Sequence, residues 1–315
     1  MERIEPSHRP VLLSEVMQGL ALKPGDIAVD CTFGRGGHSR AMLDALGPQG
    51  RLLALDKDPE AIGSVEARRL SLDGRVGLVH GSFAELGQEV DRRGWRGRVA
   101  GILLDIGVSS PQLDRPERGF SFMQDGPLDM RMNTCQGETA AEWLARVPER
   151  ELADVLHTFG EERYARRIAS EIVRRRRSQP LLSTRALVQA IEEAVPVREK
   201  GKHPATRSFQ AIRIYTNREL SELEAGLAQA LDALKPGGRL VVIAFHSLED
   251  RIVKRFLRDQ ERGFSARETQ GWRLANPSPS RLQRLGKAIR PGCEEVRANI
   301  RARSAVLRIA AKQAS

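Results

Sequence analysis

The 315-residue chain is 40% hydrophobic, 4% aromatic and carries a net charge of +10, with a pI near 10.1. That apolar content suffices for a sizeable core, the length suits about two domains, and no apolar run approaches the ~18 residues that a membrane span needs. The few rings argue against an RNA binder built on rows of stacked aromatics, while the positive balance favours a polyanionic partner.

Met1 to Pro10 carry charge and proline without an apolar stretch, so no signal peptide is expected and the protein reads as cytosolic, with no membrane partner. From there to about residue 107, short apolar runs alternate with helical patterns. The runs are Ala28–Phe33, Arg51–Asp56, Val76–Gly81 and Gly101–Gly107; the helical patterns include Gly37–Leu46 and Pro59–Leu72, the latter opened by Asp58 as cap and Pro59 as first helical residue. Leu52-Leu53-Ala54-Leu55 and Ile102-Leu103-Leu104 are apolar on both faces, as in parallel strands covered by helices, so this part is α/β, a Rossmann-like doubly wound sheet. Residues 109–212 hold no convincing strand. Helices are expected at Thr139–Val147, Glu149–Phe159, Glu161–Arg177 and Ser183–Val195, punctuated by Pro148, Pro180 and Pro196. The α/β pattern then returns with a helix near Asn217–Leu234 ended by Lys235-Pro236-Gly237-Gly238, a strand Arg239–Phe245, a helix Leu248–Asp259, a loop Gly271–Ser280 and a last strand Ala305–Ala311, paired with a weak strand near Lys287–Arg290. The expected layout is thus an α/β domain from 1–108 and 213–315, with an inserted α-helical domain, 109–212.

Charge is unevenly spread. Residues 251–315 hold 16 Lys/Arg against 5 Asp/Glu, a net of +11, leaving −1 for the rest. Concentration at one end favours nucleic-acid contact over a general solubility role. The run Arg174-Arg175-Arg176-Arg177 lies late in a helix, where cations suit the dipole; a solvated helix end is the simpler role, RNA contact the other. Cys31, Cys135 and Cys293 are scattered, with no CxxC or Cys/His spacing, so neither a disulfide framework nor a metal site is expected.

The first strand runs into Asp30-Cys31-Thr32-Phe33-Gly34-Arg35-Gly36-Gly37-His38-Ser39. Glycines such as Gly34, Gly36 and Gly37 allow a tight turn and close approach of a ligand. The second strand ends at Asp56, where an acid can accept both ribose hydroxyls, so a nucleoside-containing cofactor is implied. The dinucleotide fingerprint lacks its third glycine, and Asp30 repels a pyrophosphate but suits a cationic methionine moiety, which tilts the choice to S-adenosylmethionine (SAM). A nucleotide-binding oxidoreductase and a non-catalytic RNA-binding module are the competing readings. Phe83 follows the third strand, beside an adenine or as a core residue at a helix entry. Asp105 ends the fourth, at the edge where doubly wound sheets bind ligands, with a buried capping role as the alternative.

Beyond it, Asp105-Ile106-Gly107-Val108-Ser109-Ser110-Pro111-Gln112-Leu113-Asp114 is dense in polar and turn-forming residues. Methyl transfer to an amino group needs acceptors that hold the amino hydrogens and aim the nitrogen. Ser109, Ser110 and a carbonyl beside Pro111 are the candidate positioning groups, unless the segment merely links two domains. No Pro-Cys pair stands here, which argues against a cysteine nucleophile of the kind used to methylate carbon 5 of pyrimidines and favours amino methylation. Phe120 and Phe122 suit either an extruded base or helix packing.

These motifs, from His8-Arg9-Pro10-Val11-Leu12-Leu13 to Arg301-Ala302-Arg303-Ser304-Ala305, resemble the MraW family of 16S ribosomal RNA cytosine-N4 methyltransferases, also called RsmH. The resemblance includes the Thr32–Ser39 loop, Leu104–Asp114, Arg118-Gly119-Phe120-Ser121-Phe122, Gly126–Met132, Arg207–Arg213 and Phe245-His246-Ser247-Leu248-Glu249-Asp250-Arg251. It implies a class I SAM-dependent methyltransferase fold with an inserted helical domain for substrate recognition. The implied reaction is N4-methylation of one cytidine in the decoding centre, on 16S rRNA of the small ribosomal subunit. It further implies that SAM is held by Gly36, Gly37, His38, Asp56, Phe83, Asp105 and Gln112.

Overall fold

In the computed structural model, which describes residues 10–197, 201, 203–263 and 280–314, strand periodicity decides which side chains form the core. Along β2 (Arg51–Asp56), Leu52 and Ala54 turn to one face of the sheet and Leu53 and Leu55 to the other, and all four are fully buried. Along β4 (Val99–Asp105), Leu103 opposes Ile102 and Leu104 in the same way. A strand apolar on both sides needs a cover on both sides, and helices supply it.

The chain divides into two compact units. The first, 1–107 with 220–315, holds a seven-stranded sheet. Besides β2 and β4 its strands are β1 (Ile27–Asp30), β3 (Val76–His80), β5 (Leu234–Ala244), β6 (Leu282–Arg284) and β7 (Val306–Lys312), in the order β3-β2-β1-β4-β5-β7-β6. β1 to β5 are parallel, and β7 enters antiparallel between β5 and β6. Strand order reverses at β1, between β2 and β4, so a crevice opens there at the carboxyl ends of the strands.

Several boundaries differ from the sequence reading, each for a local reason. β1 stops at Asp30, because the next residues turn to bond elsewhere: Cys31 N–H donates to Leu103 O and Phe33 N–H to Leu55 O. The helix expected over Pro59–Leu72 is two, Pro59–Ile62 and Val65–Ser71, because Ser64 accepts the Ala67 N–H and starts a new helix. Lys235 to Gly238 do not precede β5 but bulge within it, between the pairs Val99–Leu234 and Gly101–Arg239, with Gly237 at φ +76°. The partner of β7 is Leu282–Arg284 rather than Lys287–Arg290, of which Ile289 makes an isolated bridge to Leu307. Helices Leu13–Leu20 and Ala205–Asn217 went unanticipated. The expected loop Gly271–Ser280 lies outside the described residues, save Ser280.

The second unit, 108–219, is helical, with the longer helices at Ala140–Arg146, Glu149–Gly160, Ala165–Arg176, Thr184–Ala194 and Ala205–Asn217. Its core gathers around Trp143, which is 2% exposed and packs on Tyr215 at 4.4 Å between ring centroids. Phe120 is buried, and Phe122 stacks on His203 at 4.6 Å and meets Phe209 edge-on at 5.0 Å, so both rings pack within this unit. Two members of the arginine run are structural. Arg175 pairs with Glu171 and Glu193, and Arg176 Nη1 donates to the carbonyls of Leu144 and Val147, both at 2.7 Å, closing the open end of the helix Ala140–Arg146. Removing that half-buried guanidinium orphans both carbonyls. Arg176→Ala is expected to destabilise the second unit by about 2 kcal/mol, read as a lowered urea midpoint; an unchanged midpoint would show the carbonyls to be satisfied without it. Among the described residues, no helix is long and apolar enough to cross a membrane.

Candidate active site

Three aspartates end three adjacent strands of the first unit, and the loop between β1 and the helix Gly37–Leu46 is built on them. Asp30, wholly buried, accepts the Ser39 hydroxyl at 2.6 Å and the Thr32 N–H at 3.1 Å. Burial nonetheless raises its pKa above the ordinary carboxylate value, against the pull of those bonds and of His38. Asp56 accepts Gly34 N–H on one oxygen at 2.7 Å and Asp58 N–H on the other at 2.8 Å, so it cements the glycine loop to the end of β2. Burial, seconded by the charges of Asp58 and Asp30, pushes it up to about 6.

Asp105 is shifted further than Asp56. Its backbone N–H donates to Thr32 Oγ1 at 2.8 Å, which ties the end of β4 to the loop, but its own Oδ1 is shielded from solvent with no hydrogen-bond partner among the described residues. Burial first, then the carboxylates of Asp30 and Glu249, push its pKa up to about 8. His38 lies beside it, Nδ1 3.6 Å from Asp105 Oδ2, while Nε2 sits 3.1 Å from the carbonyl oxygen of Val11. A carbonyl only accepts, so Nε2 carries a hydrogen and Nδ1 faces the carboxyl. Glu249 is held in place by the Phe245 N–H at 2.7 Å.

The three glycines serve different ends. Gly34, at φ +53°, has only the Thr32 carbonyl, at 4.0 Å, near the place of a side chain. At Gly36 and Gly37 the place of a side chain is taken by the chain itself, by the Phe33 ring at 2.7 Å and by Pro10, so glycine is needed there for close packing of the loop. Phe83 opens the short helical turn Phe83–Glu85 that follows β3, with its ring against Gly226, and packs on the core as a partly buried residue. Nearby, Glu222 accepts Lys57 Nζ and Ser82 Oγ, both at 2.6 Å. Asp30, Gly34 to His38, Asp56 and Asp105 thus share one edge of the first unit. Ser109, Ser110, Pro111 and Gln112 belong to the second, where they open the short helix Ser110–Asp114: Ser109 N–H donates to Gln112 Oε1 at 2.9 Å, and Pro111 stands in the first turn.

Sequence reasoning missed Thr32 as the strap between two strand ends, and Glu249 as a charge acting on Asp105. Glu249 had a legible signal, since its spacing from His246 is that of a capping box, which the helix Ser247–Arg262 indeed carries. The expected basic surface at the C-terminal end is partly neutralised: Arg281 pairs with Asp232 and Arg284 with Glu261, each at 2.6 Å.

The sheet order with antiparallel β7, and acids at the carboxyl ends beside the strand-order reversal, define a class I methyltransferase. The chain belongs to the MraW methylase family, whose model matches residues 5–313. It is 58% identical over 304 residues to a protein of Methylococcus capsulatus, covering 96% of this chain and 100% of that one. Its counterpart in Pseudoalteromonas atlantica is 52% identical, covering 98% and 99%. Both relatives bear the name Ribosomal RNA small subunit methyltransferase H. The chain is a methyltransferase, and its cofactor is S-adenosylmethionine.

Proposed function

We propose that this chain methylates the exocyclic N4 amino group of a cytidine in 16S rRNA of the small ribosomal subunit. The observation that carries this reading is likeness over nearly the whole chain, at 50–58% identity, to proteins named for methylating small-subunit ribosomal RNA. The amino group as acceptor is supported by the site itself. Asp105-Ile106-Gly107-Val108-Ser109-Ser110-Pro111 offers oxygen acceptors and no thiol, and an exocyclic amine needs no covalent activation.

The residues suit the cofactor. Three carboxyls at one sheet edge, two of them with pKa values of about 6 and 8, disfavour a phosphate and favour a ligand with positive charge. Asp105 Oδ1, buried and unpartnered, is the kind of group that a bound cation satisfies. In this reading Asp56 accepts the ribose hydroxyls, Gly34 gives room for the backbone approach, and Asp105, braced by His38 and Thr32, faces the charged end. Phe83 flanks the base with whatever surface its core packing leaves open. When bound, SAM supplies an activated methyl group on a good leaving group, so the protein's task is positioning in a water-poor site. Ser109, Ser110 and the carbonyl beside Pro111 hold the amino hydrogens and aim the nitrogen.

The test is transfer of label from SAM to small ribosomal subunits that lack the modification, followed by digestion and mass spectrometry of the nucleosides. N4-methylcytidine at a single site is the expected product. Label in another nucleoside would reject the substrate assignment while leaving the methyltransferase intact.

A further inference from the structure

The helix Ala165–Arg176 buries Ala165, Ile168, Ala169, Ile172 and Val173 against the second unit's core. Its opposite side is exposed and carries Arg166, Arg167 and Arg174, with Arg163 exposed in the turn before it and Arg177 exposed at its C-cap. Positions 167, 170, 174 and 177 are spaced by three and four in turn, the spacing of one stripe on a helix, with Ser170 between the arginines; Arg166 flanks the stripe and Arg163 lies in the turn before the helix. From Arg166 to Arg177 the stripe runs about 16 Å.

Little in the fold accounts for these side chains. Arg174 pairs with Glu171 at 2.7 Å, but among the described residues no acid pairs with Arg163, Arg166, Arg167 or Arg177. Arg163 rests over the Tyr164 ring, 5.8 Å from its centroid. Arg166 and Arg167 lie in the first turn of the helix, which has no acidic residue. Positive charge there opposes the helix dipole, so the helix itself would be better off without it. The basic residues Arg281 and Arg284 differ, because each already has a carboxylate partner.

We propose that this arginine stripe grips the phosphate backbone of the substrate RNA. The proposal rests on the reading of the substrate as RNA. Guanidinium forks engage phosphate oxygens two at a time, and several in a row along a rigid helix suit a chain of regularly spaced anions. Such contacts carry no base preference; they set affinity and register, while selection of the cytidine falls to the other groups.

The test compares the full-length enzyme with the variant Arg163→Gln, Arg166→Gln, Arg167→Gln, Arg177→Gln, using small-subunit ribosomal RNA as the probe. Each lost phosphate contact removes about 0.7–0.9 from the slope of log affinity against log salt, so the slope is expected to flatten by about 3. Affinity at ~150 mM salt should fall by about tenfold or more. The KM for RNA rises accordingly, while kcat and SAM affinity stay as they were. The matching fourfold Arg→Lys variant should keep most of the slope. Unchanged affinity and slope in the Gln variant would overturn the stripe, as would a Lys variant as weak as the Gln one. Wild-type enzyme that neither binds nor methylates the RNA would instead overturn the substrate reading itself.

Discussion

Asp105→Asn is expected to abolish most methyl transfer and at the same time to stabilise the protein. The two effects share one cause. At pH 7 the half-buried carboxyl, with its pKa of about 8, holds a proton that it would give up in the unfolded chain, where the value is 3.8. The folded state therefore binds more protons than the unfolded one between those values, and stability falls as pH rises through that window. The penalty at pH 7 is on the order of 4 kcal/mol. An amide of the same shape does not ionise, so the variant should gain a few kcal/mol near neutrality and nothing near pH 4. An amide also supplies no negative charge to a cationic ligand. Removing one partner from such a shielded pair costs about 3–5 kcal/mol, a loss of at least a hundredfold in SAM affinity. Denaturant melts across pH, read beside titrations with SAM, check both signs. A variant that lost stability together with activity would reduce Asp105 to a structural role.

This opposition is what a site under functional constraint looks like, and it explains which parts of the molecule were legible in the amino-acid order. The runs around Leu52 and Leu103 announce a doubly covered sheet because strand burial repeats every second residue. Gly34 and Asp56 were legible as a pair because each stands at the end of a recognisable strand, and the structure joins them through one 2.7 Å bond. Where roles depend on partners far along the chain, local pattern is silent. Nothing near Arg176 tells that it reaches the carbonyls of Leu144 and Val147, and nothing near His38 tells that it sits between Val11 and Asp105. Gly36 and Gly37 show a subtler limit. Sequence reads a need for space there; only the coordinates show that Phe33 and Pro10 fill it. Turns misled where two local preferences competed, as at Ser64, whose capping bond splits an otherwise continuous helical pattern.

The affinity for SAM should itself report the state of these acids. Below pH of about 8 the unliganded protein keeps a proton on Asp105, and below about 6 one on Asp56 as well. A cationic ligand favours the carboxylate form, so binding expels those protons, and affinity rises with pH until the higher value is passed. Between pH 6 and 8 the dissociation constant is expected to fall about tenfold per pH unit, levelling above 8, since one proton leaves per ligand bound. Isothermal calorimetry in buffers of different ionisation enthalpy counts the protons directly and should give about one released near pH 7. Asp105→Asn removes this upper limb while the shallower dependence near pH 6, from Asp56, survives. A dissociation constant flat from pH 6 to 8.5, with no proton released in Asp105→Asn or in the wild type, would mean that neither carboxyl meets the positive charge, and the ligand would have to be seated on another edge of the sheet.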